Sequence, residues 1–339
     1  MTRVAVIGTT TWGTTLGIVM ARRSLDVRLW ARTPEEAAAL QTARENPRFL
    51  PGIPFPPSLR VTASLEDALQ RAQLVFFVVP SWAMRENARK VAACIPLRAV
   101  VVSATKGLER RSGKRMSQVL QEELPEALHG RICALSGPNL AQEVAEEKPS
   151  TTVVACPEDK HARLAQEAVM APAFRVYTTR DLVGVEMGGA LKNVIALGAG
   201  VCDGLGYGAN AKAAFINRGL VEITRLGVAA GANPLTFAGL ACLGDLIATG
   251  FSPLSRNRSA GEQIAKGRSL KEVLASTPHV VEGIETTPAA LKLAAHYGVE
   301  MPITEATSRV LFDGSDPREV GWELMARSPG PEWWGVAGA

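Results

Sequence analysis

No apolar run in this 339-residue chain approaches the ~18 residues needed to cross a bilayer, and the richest, Leu74 to Val79, is strand-sized. Cysteine is scarce: the five residues, at 94, 133, 156, 202 and 242, are scattered, odd in number and set in apolar contexts. That distribution excludes a disulfide scaffold and predicts buried free thiols in a reducing cytoplasm. The four histidines, at 129, 161, 279 and 296, have no metal-ligand spacing. With no cysteine to pair with them, no metal is expected. Neither a G-x-S-x-G elbow nor a Walker phosphate loop occurs. An excess of one charge is also lacking, since Lys plus Arg is 37 and Asp plus Glu is 33, a net +4. So mild a balance, without an amphipathic basic helix, gives no reason to expect nucleic acid or stable membrane attachment. It slightly favours a small anionic substrate. Met1 to Gly8 enters a strand directly, which predicts no signal peptide. A content of 47% hydrophobic and 21% charged residues excludes disorder and collagen. The length suggests about two domains.

What is present in the first half is alternation. Val4-Ala-Val-Ile-Gly8 is a short apolar run closed by glycine, and Thr14 to Arg23 carries a helical pattern. Val27-Arg-Leu-Trp30 is the next strand. A helix starts near Pro34-Glu-Glu36, because proline at a first helical position with acids beside it is a start signal. Leu74 to Val79 and Ala99 to Ser103 are continuous apolar runs, the mark of strands buried on both faces. Arg131 to Leu135, Thr151 to Ala155 and Phe174 to Tyr177 continue the series. Strands alternating with helices predict a parallel, doubly wound sheet. After about Arg180 the strand signals stop. Val183–Cys202, Asn210–Ala230, Ser259–Lys266 and Thr286–His296 are rich in Ala, Leu and Gly. The fold expected is therefore α/β: a doubly wound sheet over residues 1–180 and an all-helical domain over 181–339. A poorly ordered tail is expected from about residue 328, and its Trp333-Trp334 pair has no assigned role.

Gly8-Thr-Thr-Thr-Trp-Gly13 follows the first strand and opens a helix. In a Rossmann-like fold the helix N–H groups and dipole at that point hold a pyrophosphate. The match to G-x-G-x-x-G is incomplete, because Thr10 stands at the second glycine. The loop reads either as a dinucleotide cradle, with Gly8 and Gly13 in it, or as a plain tight turn. The end of the second strand, Leu29-Trp-Ala-Arg-Thr33, contains no acid to take ribose hydroxyls. Arg32 there is suited to pair with a 2′-phosphate, or is a solvated surface arginine. On this reading NADP(H) is preferred and NAD(H) is also used.

Two lonely charges follow. Lys192 is the only charged residue between Glu186 and Asp203, in a helical stretch of small and apolar residues. Burial would lower its pKa and suit it to proton transfer near neutral pH. Alternatively it snorkels to water from a core helix. Asp245 is the only charge between Arg225 and Arg256, and is either an N-cap or a functional carboxylate. Ser255-Arg-Asn-Arg-Ser259 leads into a helix and reads as a phosphate cradle or as a capped helix with solvated arginines. Gly113-Lys-Arg115 has no strand-to-helix loop around it and reads as solvated surface.

Motifs at family spacing then converge. They are Lys106-Gly-Leu-Glu109, Ser136-Gly-Pro-Asn-Leu-Ala141, Gly188-Gly-Ala-Leu-Lys-Asn193, Asp203 to Lys212, Gly244-Asp245, Ser255-Arg-Asn257, Val281-Glu-Gly283 and Met301-Pro-Ile-Thr-Glu305. Across about residues 3–325 the chain resembles the bacterial-type NAD(P)-dependent glycerol-3-phosphate dehydrogenases. The resemblance implies reversible reduction of dihydroxyacetone phosphate to sn-glycerol 3-phosphate, feeding glycerophospholipid synthesis in the cytoplasm by a homodimer. It implies that Lys192 is the proton donor and acceptor. Lys106, Gly137, Asn139, Lys192, Asp245, Ser255, Arg256 and Asn257 would contact the substrate. Thr11, Trp12, Arg32, Lys106, Ala141, Arg256 and Glu282 fall where the family contacts its dinucleotide.

The chemistry agrees with that assignment. Reduction of a ketone leaves an alkoxide that needs a nearby cation and then a proton, and Lys192 supplies both. Lys106 adds positive field, Asp245 holds the ammonium or a hydroxyl, and the basic turn binds the anionic end of the substrate. Three departures from the family stand out. Thr10 in the loop is expected to weaken cofactor binding or shift the loop. Gly250-Phe251 replaces a small polar pair, and Asn139 stands where Ser or Thr is frequent. Two rival readings remain: a related two-domain dehydrogenase of another phosphorylated or acidic substrate, and a dinucleotide sensor without catalysis.

Overall fold

Apolar runs form the strands, and hydroxyl or acidic side chains start most of the helices between them. The computed structural model describes residues 2–277 and 280–332, so Trp333 and Trp334 lie outside the described residues. The chain divides into two compact units, Met1–Thr105 with Met116–Leu182, and Lys106–Arg115 with Val183–Ala339. The boundary near residue 180 is the one expected from the change of pattern, but the excursion of Lys106–Arg115 into the second unit is not visible in that pattern.

The first unit alternates strand and helix. In chain order it holds β1 (Arg3–Ile7), α1 (Thr11–Arg22), β2 (Asp26–Trp30), α2 (Pro34–Ala43), β3 (Leu59–Thr62) and α3 (Leu65–Leu69). Then come β4 (Leu74–Phe77), α4 (Met84–Ala92), β5 (Val100–Ser103), α5 (Met116–Glu123), β6 (Ile132–Ser136), α6 (Ala141–Ala145), β7 (Ser150–Ala155), α7 (Asp159–Val169) and β8 (Phe174–Thr179). The sheet order is β3-β2-β1-β4-β5-β6-β7-β8. Val4 of β1 pairs with Val27 on one side and Leu74 on the other. Strand order reverses there, and ligands of doubly wound sheets bind in the crevice at the carboxyl ends of such strands. Period-two alternation serves two cores. Val4 and Val6 pack with Leu16 and Leu29 on one face, and Ala5 and Ile7 with Val75 and Phe77 on the other. Each large side chain buried this way contributes about 1.5–3 kcal/mol.

Two features of the sheet differ from the sequence-based expectation. β3 was not expected; it is four residues long and buries only Leu59 and Val61, too few for an apolar run. β6 and β7 pair antiparallel, Ala134 opposite Ala155, so the sheet is not wholly parallel. The link between them carries only the five-residue α6, which packs on α1. A parallel return needs a longer crossover, normally a full helix lying across the sheet.

The second unit is helical among its described residues. It holds α8 (Leu182–Gly204), α9 (Gly208–Ala229), α10 (Asp245–Phe251), α11 (Arg256–Ala265), α12 (Leu270–Ala275), α13 (Glu282–Tyr297), α14 (Pro302–Phe312) and α15 (Pro317–Met325). α8 is buried on nearly every side, with Met187, Leu191 and Ile195 packed against Ile223 and Leu226 of α9. By length and a mean hydropathy of 1.3, α8 would qualify to cross a membrane, although its apolar residues form no unbroken run. In the fold, 83% of that stretch is buried inside the protein, which makes it a core helix. Segment 106–115 closes on itself through a Leu108–Arg115 bridge and buries Leu108 in the same core. Arg115 donates to Glu186 at 2.5 Å, so the reading of Gly113-Lys-Arg115 as solvated surface fails for Arg115. Cys133, Cys156, Cys202 and Cys242 are buried free thiols, whereas Cys94 is only partly buried.

Candidate functional site

In the second unit one buried cluster collects three of the sequence-singled residues. Lys106 Nζ lies 2.6 Å from Asp245 Oδ2, and Lys192 Nζ lies 3.0 Å from Asp245 Oδ1. Lys192 is 5% exposed and Asp245 2%, so the lysine does not snorkel. Asp245 is not the N-cap: Gly244 holds that place, and the carboxylate turns to the two ammoniums. The preceding Leu240–Gly244 winds as one wide π turn, with Gly244 N donating to Gly239 O at 3.1 Å. Such turns re-aim side chains. A fourth member was missed in the sequence. Thr249 Oγ1 accepts from Lys192 Nζ at 2.6 Å and donates to Asp245 Oδ1 at 3.1 Å. Its only sequence signal is its position four residues after Asp245, one turn along the same helix.

Burial pushes the Lys192 ammonium down to about 8, with Lys106 adding to the fall and Asp245 opposing it. Burial alone would raise the Asp245 carboxyl. The Lys106 and Lys192 ammoniums outweigh it and hold that carboxyl below its ordinary value. The result is a lysine that exchanges a proton near neutral pH beside a carboxylate that stays ionised.

The basic turn is both cap and cradle. Ser255 Oγ caps α11 by accepting from Arg258 N at 3.2 Å. Arg258 serves structure, bound to Asp203 at 2.6 Å and Glu262 at 3.4 Å. Arg256 is half-exposed and pairs with Glu282 at 3.1 Å, which brings together two residues assigned to the dinucleotide. Asn257 is buried; its Nδ2 donates to Asn193 Oδ1 at 3.0 Å and its Oδ1 accepts from Gly283 N at 2.9 Å. That bridge ties the starts of α11 and α13 to α8 one residue past Lys192. Asn193 is the second residue missed, although it stands in a quoted motif.

In the first unit the Gly8–Gly13 loop joins β1 to α1 at the reversal of strand order. Gly8 has φ +117, and a Cβ there would meet Val78 O at 2.6 Å; a Cβ on Gly13 would meet Gly8 O at 2.2 Å. These close approaches leave the backbone N–H groups of the α1 start bare, which fits a pyrophosphate. Thr10 does not shift the loop. Its backbone (φ −61, ψ 166) is ordinary extended chain. Its hydroxyl accepts from Gly13 N at 3.1 Å and donates to Val78 O at 3.0 Å, capping α1. The helix therefore starts at Thr11, three residues before the apolar pattern does. Trp12 meets Phe174 edge to face at 6.2 Å and keeps a buried, unpartnered indole N–H. Ala141 begins α6 and its carbonyl accepts from Thr15 Oγ1 at 3.3 Å, next to α1.

Arg32 is exposed after β2, as expected. An acid does reach that end, however. Glu36 Oε2 accepts from Arg32 N at 3.3 Å, and its Oε1 accepts from Thr9 Oγ1 at 2.5 Å. Gly137 lies against β7, where a Cβ would meet Thr152 Cα at 2.8 Å. Asn139 donates to Thr151 O at 2.8 Å and accepts from Thr152 Oγ1 at 2.9 Å, so its amide is engaged with β7.

Comparison with known proteins agrees with this geometry. A family model described as the NAD-dependent glycerol-3-phosphate dehydrogenase N-terminus matches residues 3–162, and one described as its C-terminus matches 181–321. A Dehalococcoides mccartyi protein named glycerol-3-phosphate dehydrogenase (NAD(P)+) is 51% identical, over 96% of this chain and 91% of its own. A Thermobifida fusca protein of the same name is 46% identical over 99% of this chain and 100% of its own. The crystal structure of glycerol-3-phosphate dehydrogenase from Coxiella burnetii superposes with a TM-score of 0.91 at 34% identity, covering 96% of this chain and 99% of that one. The chain belongs to the NAD-dependent glycerol-3-phosphate dehydrogenase family.

Proposed function

We propose that this chain catalyses the reversible NAD(P)H-dependent reduction of dihydroxyacetone phosphate to sn-glycerol 3-phosphate, which supplies glycerophospholipid synthesis. The observation that carries this reading is the buried Lys106–Asp245–Lys192 cluster with Thr249. A bound nicotinamide supplies or takes the hydride. Lys192, as an ammonium, stabilises the developing alkoxide and gives it a proton; in oxidation the neutral amine takes the hydroxyl proton. Asp245 and Thr249 hold Lys192 in one orientation, and Lys106 adds positive field. Ser255, Arg256 and Asn257 at the start of α11 bind the phosphate end, so that remote binding energy aligns the carbonyl.

The first unit is the dinucleotide domain in this reading, with Gly8, Thr11, Trp12 and Gly13 at the pyrophosphate. Arg32 faces the adenine ribose and favours NADP(H), while NAD(H) is also used. Gly137 and Asn139 contact the substrate, and Ala141 and Glu282 the cofactor. The active form is a cytoplasmic homodimer, which sedimentation would check by mass. A dinucleotide sensor has no need of a buried lysine–carboxylate pair, so the sensor reading is not pursued. The test is loss of NADPH absorbance on adding dihydroxyacetone phosphate, repeated with NADH and with other phosphorylated ketones. Turnover confined to dihydroxyacetone phosphate is expected. Faster turnover of another oxo-substrate would replace the substrate and leave the dehydrogenase.

A further inference from the structure

We propose that Glu36 is a specificity-determining residue: its carboxylate opposes a 2′-phosphate on the adenine ribose and accepts from a 2′-hydroxyl, and so keeps NAD(H) usable beside Arg32. The inference rests on the dinucleotide site proposed above and concerns the side chains that surround its ribose.

Glu36 is the third residue of α2, whose N-cap is Thr33. Its carboxylate leaves the helix start and bridges two elements. One oxygen accepts from the hydroxyl of Thr9 in the loop after β1, and the other accepts from the backbone N–H of Arg32 after β2. The loop end of this bridge is anchored. Asn46, buried, donates from Nδ2 to Thr9 O at 2.9 Å and to Thr14 Oγ1 at 2.9 Å. A negative charge thus already sits on donors at the carboxyl ends of β1 and β2, where a doubly wound sheet receives the adenine ribose.

Arg32 brings the opposite charge to the same turn, and its field also reaches Glu86, whose carboxyl it helps to lower. A 2′-phosphate, with close to two negative charges, is attracted by Arg32 and repelled by Glu36. A 2′-hydroxyl is indifferent to Arg32 and donates to Glu36. The two side chains therefore pull the choice of dinucleotide in opposite directions. The acid was hidden in the sequence because it lies four residues past Arg32, inside the helix, where it reads as a helix-start charge.

The test uses the intact protein and two fragments of the dinucleotides, adenosine 2′,5′-bisphosphate and adenosine 5′-monophosphate, titrated by calorimetry. In Glu36→Gln and Glu36→Ala the bisphosphate should gain roughly tenfold in affinity relative to the monophosphate. The kcat/KM ratio of NADPH to NADH should rise in step. Glu35→Gln, which removes a neighbouring acid from the same first turn of α2, should leave the ratio unchanged and so separates the position of Glu36 from helix-start electrostatics. A ratio within about twofold of wild type in both Glu36 variants overturns the role of Glu36 while leaving the dinucleotide site standing. An equal shift in Glu35→Gln overturns it as well. Failure of wild type to bind either fragment would instead overturn the dinucleotide reading itself.

Discussion

Lys192 and Asp245 illustrate how far a residue's surroundings decide its chemistry. An ammonium buried in α8 would lose its proton easily, and the carboxylate at 3.0 Å restrains that loss, leaving Lys192 at about 8. Ketone reduction needs the ammonium, so its rate should fall as pH rises through about 8. Oxidation of glycerol 3-phosphate needs the amine and should rise over the same range. Asp245→Asn removes the restraint and leaves Lys106 nearby, so the limb should move to lower pH and kcat should drop; an unmoved limb would show that the pair is not coupled. Lys192→Ala should reduce kcat by about 10²–10⁴-fold with dinucleotide binding retained. Turnover at wild-type level would remove the catalytic assignment. Both charged residues stood out in the sequence because each is alone in a long apolar stretch. Thr249 did not, since a helical threonine ordinarily bonds its own backbone one turn back.

At the scale of elements, the helices meet closely where the substrate run begins. A Cβ on Gly200 of α8 would meet Arg258 O of α11 at 1.9 Å, and one on Gly261 of α11 would meet Leu197 O of α8 at 1.9 Å. This mutual contact sets Ser255, Arg256 and Asn257 against the helix that carries Lys192. Gly200→Ala should destabilise the protein by about 1–3 kcal/mol, as overpacking does. It should also raise KM for the phosphorylated substrate more than for the dinucleotide. Thermal melts and paired KM values check this, and equal changes in both KM values would deny that the crossing positions the anion site. Most elements were readable from sequence: proline and acids announced α2, and apolar runs announced β4 and β5. β3 and the antiparallel β7 were not, because a four-residue edge strand and a strand's direction depend on neighbours far along the chain.

Over the whole molecule, stability is tied to a buried carboxylate away from the catalytic cluster. Glu222 of α9 accepts from Ile303 N, from Thr304 N at 3.2 Å and from Thr304 Oγ1 at 3.1 Å, capping the start of α14. Burial pushes its pKa up to about 7, against the lowering effect of those donors and of Arg225. A carboxyl raised above its unfolded value of 4.5 binds extra protons when folded. Its stabilising contribution is therefore complete below about 4.5 and lost as pH rises through about 7. Glu222→Gln does not titrate. Its stability relative to wild type should improve between pH 5 and pH 8 by at most on the order of 3 kcal/mol. Urea unfolding of both proteins at the two pH values reads this difference, and a constant gap would contradict it.

By itself the sequence determined the order of strands and helices, the change of architecture near residue 180, and the family to which its motifs point. Those properties are carried by periodicity and punctuation within a few residues. Tertiary structure decided which groups share a site. Lys106 and Asp245 are 139 positions apart, Lys192 and Thr249 are 57 apart, and Thr9 and Glu36 are 27 apart. Charge interactions fall with distance and strengthen with burial, and both are set by packing rather than by position along the chain.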